Sequence, residues 1–103
     1  MQIIKKLSKM IGEELDDAEK YARCALNHKD DNPSLAELFY SLSLEEMKHM
    51  EMLHKASVKL IEEAKQFRED EIPAGMQEIY DYIHEQHIDH AKEIRILQTM
   101  FRE

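Results

Sequence analysis

Apolar residues recur every three to four positions in three runs. The first carries Ile4, Leu7, Ile11, Ala18, Tyr21 and Ala25, and the second Leu35, Phe39, Leu42, Leu53, Ala56 and Leu60. The third carries Met76, Tyr80, Ile83, Ile94, Leu97 and Phe101. This is helical spacing, with one face of each segment turned toward a core. Two stretches break it. In Asp30-Asp31-Asn32-Pro33 an Asn stands where a helix N-cap belongs, with Pro at the first helical position. Glu71-Ile72-Pro73-Ala74-Gly75 is the second break. The pattern predicts helices over 3–29, 33–67 and 76–102 in one all-α domain, folded as an antiparallel three-helix bundle. Gly12 falls inside the first helix and weakens it by about 1 kcal/mol relative to Ala.

Each stripe is apolar at its ends and ionisable in its middle. On a 4,3,4,3 grid the interruptions are Glu14 in the first segment, Glu46 and His49 in the second, and His87 and His90 in the third. Two E-x-x-H patterns overlap in the second segment. Glu46-Met47-Lys48-His49 lies on the stripe, whereas Glu51 and His54 of Glu51-Met52-Leu53-His54 fall toward solvent. A carboxylate buried in a bundle costs several kcal/mol unless it is paired, protonated or bound to a cation. No Lys or Arg shares the stripes. A divalent cation would reconcile the carboxylates, and Glu oxygen with His nitrogen suits Fe, Mn or Zn. The candidate metal ligands are therefore Glu14, Glu46, His49, His87 and His90. The alternative is a metal-free network of Glu–His hydrogen bonds.

Heights along the helices sharpen the expectation. About a turn near residue 31, Glu14 lies 17 positions before, and Glu46 and His49 lie 15 and 18 after, so the three come level. A third helix turning straight back at residue 72 would leave His87 about 12 Å from the height of His49. Bringing it level requires a climbing linker or a partner chain. Beside the stripe, Asp17 is a candidate bridging carboxylate or a solvated flank, and His84 a candidate ligand or an exposed residue. Tyr21 could donate its hydroxyl to a bound carboxylate or fill the core.

Composition narrows the function classes. Of 103 residues, 35% are charged and the formal net charge is −8, which repels a phosphate backbone and argues against nucleic acid. Mean hydropathy is −0.64 and no run reaches the length of a membrane span. The opening apolar residues are interrupted by Lys5, Lys6 and Lys9, so they form an amphipathic first turn rather than a signal segment. The lone Cys24 leaves no internal disulfide and fits a reducing cytosol, and so a cytoplasmic protein.

Glu14 with Tyr21 seven residues later, and Glu45-Glu46-Met47-Lys48-His49 on the next helix, resemble the ferritin-like di-iron carboxylate proteins, the rubrerythrin type above all. The resemblance covers residues 7–60 well and the third helix loosely. In that family a first-helix Glu and the E-x-x-H of the second supply half of a two-metal site. A second Glu and a second E-x-x-H complete it. Here the corresponding place reads His87-Ile88-Asp89-His90, so carboxylates are missing. Encapsulated-ferritin-like proteins with short chains build the site across a dimer interface.

The resemblance implies an iron-binding ferritin-like fold that oxidises Fe(II) with O₂ or peroxide for storage or detoxification. The alternative is a non-catalytic assembly module with a structural Zn or no metal. The broad apolar stripe of the second helix, flanked by Leu38, Met50, Ser57 and Ile61, predicts a homodimer or larger assembly that completes the bundle.

Overall fold

The computed structural model describes residues 2–67 and 75–103. Helix α1 spans Gln2–His28, α2 Pro33–Phe67 and α3 Met76–Arg102, and no strand occurs among the described residues. These bounds agree with the predicted ones to within a residue. The first turn is built by the residues expected to build it. The Asn32 side-chain oxygen accepts a hydrogen bond from the Leu35 N–H at 3.3 Å, capping α2. The Asn32 N–H in turn donates to the carbonyl of His28 at 2.9 Å, closing α1. Residues 71–74 of the second break lie outside the described residues. Gly75, its last residue, takes φ 92° at the N-terminus of α3, a left-handed conformation that a Cβ would strain.

α1 and α2 form an antiparallel hairpin packed along its length. α3 runs antiparallel to α2, with His84 against His54, Gln98 against Ser43 and Phe101 against Tyr40. It therefore runs in the same direction as α1, on which it chiefly rests. The result is a rod of 56 × 18 × 18 Å.

The core follows from the stripes, rotated a little from the grid. Ile11, Leu15, Ala18, Met47 and Ile94 form one buried cluster, with Met50, Leu53 and Ala91 packed against it. Ala25, Ala36 and Phe101 form a second toward the turn, with Leu26, Phe39 and Tyr40. A strict 3.5-residue grid drifts against a 3.6-residue helix. By the C-terminal half of α2 the buried position is Ser57, whereas Ala56 on the grid is exposed. The alanines at 18, 22 and 25 are all buried and let the helices approach closely.

One polar thread runs through the middle. The Ser43 hydroxyl donates to the Ala18 carbonyl at 2.7 Å and accepts from Gln98 Nε2 at 2.9 Å, and Arg95 Nη1 donates to Gln98 Oε1 at 3.0 Å. Ser43 and Gln98 are buried, so these bonds join all three helices at a point where a loose polar group would be costly.

Candidate metal centre

α1 and α2 bring Glu14, Glu46 and His49 together. One ligand atom from each lies within 4.8 Å of the others, and among the described residues no other group of three does so. His49 Nδ1 stands 3.3 Å from Glu14 Oε2 and 3.7 Å from Glu46 Oε2. The helical repeat places Glu46 and His49 on one face, one turn apart. The antiparallel hairpin sets Glu14 opposite them.

The two carboxylates lie side by side, with an oxygen of each within 4.8 Å of the other. That contact with Glu14, followed by burial and by the Glu14 charge, raises the Glu46 pKa above the ordinary carboxylate range, with His49 pulling the other way. Glu14 Oε2 is buried with no hydrogen-bond partner; His49 Nδ1 is near enough for an ion pair but not aligned to donate to it. An orphaned carboxylate oxygen, a second carboxylate close beside it and an imidazole nitrogen at this spacing are a donor set that fits a divalent cation.

The surroundings correct one expectation. The trio does not sit in a dry interior: the side chains of Glu46, Glu14 and His49 are 19%, 26% and 55% exposed. The reason is geometric. α3 covers the side of the hairpin marked by Gly12, Asp16 and Glu19, while Glu14 projects from the other side of α1. At this height α3 turns Ala91 and Ile94 toward Leu15 and Met47. The seam of Glu14, Glu46 and His49 is left open.

His87 and His90 are not brought to this trio. His90 Nε2 lies 2.7 Å from Glu19 Oε1, and its Nδ1 lies 4.0 Å from Asp16 Oδ1, so the ring bridges two carboxylates of α1. His87 faces the groove beside Gly12. Among the flanking residues, Asp17 is exposed, and Tyr21 stacks on Phe39 with ring centroids 6.3 Å apart, which is packing work. His84 stacks on His54 at 4.7 Å. His54, expected in solvent, is thus half-buried, because the rotation that buries Ser57 also turns it toward α3. Glu51 is exposed as expected and pairs with Arg95 at 3.0 Å.

Glu19 and Asp16 lie off the apolar stripe and were not among the expected site residues. Their signal was the spacing: both lie on the side of α1 opposite Glu14, where a third helix packs. Ser43 and Gln98, short polar residues beside the stripes, were likewise not among the expected site residues.

An all-α bundle with a carboxylate–imidazole trio on a helical hairpin has the make-up of a ferritin-like metal protein. The family model of rubrerythrin matches residues 5–100. The chain belongs to the rubrerythrin family, within the ferritin-like di-iron carboxylate superfamily. No curated protein and no solved structure matches it. Among the described residues, no helix is long and apolar enough to cross a membrane.

Proposed function

We propose that Glu14, Glu46 and His49 bind iron and that two copies of the chain share the site. The carrying observation is the trio itself: donor atoms within 4.8 Å, one buried oxygen unpartnered, and an open side. In this reading Fe(II) is the substrate, oxidised to Fe(III) by O₂ or peroxide for storage or detoxification. Glu14 and Glu46 supply the negative charge that favours the higher oxidation state, and His49 completes the donor set. The exposed edge of His49 leaves an approach for the oxidant.

Membership of the family supports iron, and the open seam supports a homodimer. Glu14 is flanked along its face by Ile3, Leu7 and Met10, and Glu46 by Leu42 and Leu53. Ile3 and Met10 are exposed. A second copy laid on this face would cover those side chains and bring a second Glu-Glu-His set to the first. That would restore the number of carboxylates a two-metal site uses, with no call on His87 or His90. Such a site needs no further cofactor and fits a cytoplasmic protein.

Metal analysis of Glu46→Gln and Glu51→Gln tests the assignment. The first should lose bound iron and the aerobic rise in Fe(III) absorbance, and the second should keep both. Equal iron content in the two variants would contradict it. Zinc bound tightly with no Fe(II) oxidation above the buffer rate would instead favour a structural assembly module.

A further inference from the structure

Three of the six histidines have a carboxylate within 4.0 Å: His28 with Asp31, His49 with Glu14 and Glu46, and His90 with Glu19 and Asp16. The remaining three have none among the described residues, and all three line one cavity. His54, His84 and His87 border a space of about 240 Å³ between the start of α1, the second half of α2 and the start of α3. The walls are otherwise largely apolar, with Ile4, Ile11, Ile61 and Ile83. Ser57 lines the same cavity. It is only 7% exposed, and its hydroxyl has no hydrogen-bond partner.

We propose that His54, His84 and His87 form a second metal site, separate from the carboxylate trio, that takes a borderline divalent ion of the zinc class. An all-imidazole donor set suits Zn(II), Co(II) or Ni(II), whereas Mg(II), Ca(II) and Mn(II) prefer oxygen. Burial first, and neighbouring imidazoles second, hold the His54 and His87 pKa values below the ordinary histidine range.

The spacing is already close to a chelate. The His54 and His84 ring centroids are 4.7 Å apart with planes 5° from parallel. Two imidazoles on one tetrahedral zinc, each bound at about 2.0–2.1 Å, place their centroids roughly 5 Å apart. Rotation about Cβ–Cγ separates the stack from the chelate. This torsion is broad in histidine and redirects the nitrogens while leaving the ring centre nearly in place. His84 is exposed, so it turns at little steric cost. His87 lies one turn along the same face and supplies the third nitrogen. In the unbound arrangement the three do not have ligand atoms within 4.8 Å of one another, unlike the Glu14 trio, so the site closes on its ion. The buried, unpartnered Ser57 hydroxyl lines the same space and offers a polar group for a water on that ion, and of the charged side chains there Glu62 and Asp81 outnumber Lys65.

Zinc titration of the full chain at pH 7, against a chromophoric chelator, tests this. Wild type, His84→Ala, His54→Ala and Glu46→Gln are compared, with folding checked by circular dichroism. Wild type and Glu46→Gln should both fill the imidazole site, and each histidine variant should bind that ion at least tenfold more weakly. If His54→Ala does not fold, exposed His84 decides alone. A loss smaller than tenfold in His84→Ala, or loss of the same ion in Glu46→Gln, overturns the proposal. Neither result bears on iron at the trio, which is read by the Glu46→Gln and Glu51→Gln pair.

Discussion

Two carboxylates side by side cannot both stay charged cheaply, and Glu14 raises the Glu46 pKa accordingly. This makes the wild-type pair a poor choice for stability alone. In metal-free protein at neutral pH, Glu46→Gln should raise stability by up to about 1 kcal/mol, because a neutral amide can donate to Glu14 where a carboxylate repels it. Thermal melting in the presence of a chelator checks this; a lower melting temperature than wild type would contradict it. Elsewhere residues act through packing. Leu15 is fully buried in the cluster beside the trio, and Leu15→Ala should cost about 2–5 kcal/mol in chemical denaturation. Gly12 is the opposite case. A Cβ there would meet His87 Nε2 at 3.6 Å, an ordinary contact, so Gly12→Ala should stabilise by about 0.5–1 kcal/mol. A destabilisation would show that the groove needs the space.

At the scale of elements, the hairpin and α3 differ in how much of them was legible. Helical spacing with Asn32-Pro33 fixed the start of α2, and counting from the turn brought Glu14, Glu46 and His49 level. That worked because a short turn ties the register of α1 to that of α2. The sequence sets no such register for α3. Its histidines sit on the expected stripe, but the stripe faces α1 on the side away from Glu14. Periodicity gives the face a helix buries, not the neighbour it buries it against. The contact that holds α3 in place includes the Glu19–His90 pair. Arg23, and then His90, depress the Glu19 pKa below the ordinary glutamate range. A depressed carboxylate contributes stability above its unfolded pKa and loses it as pH falls through the lower folded value. Glu19→Gln should therefore cost at most about 1 kcal/mol at pH 7, as the pair is partly exposed. The difference from wild type should shrink as pH falls below the ordinary glutamate range and vanish once pH has passed the lower folded value. Melting curves across that range decide it; a difference that persisted in acid would show that the pair acts by shape rather than charge.

At the scale of the whole molecule, α3 closes one side of the hairpin and leaves the seam of Glu14, Glu46 and His49 open. In the proposed dimer a second copy would close that seam. The stripe's broad apolar flanks are what led to the expectation of association, while the trio's partial exposure was not legible, since one chain's periodicity cannot say which side stays uncovered. The most direct test is anomalous diffraction at the iron edge from crystals grown with Fe(II). An iron peak bounded by Glu14, Glu46 and His49 from two chains is expected. Iron bound only elsewhere, or a monomer whose Glu14 and Glu46 carry no peak, would contradict it.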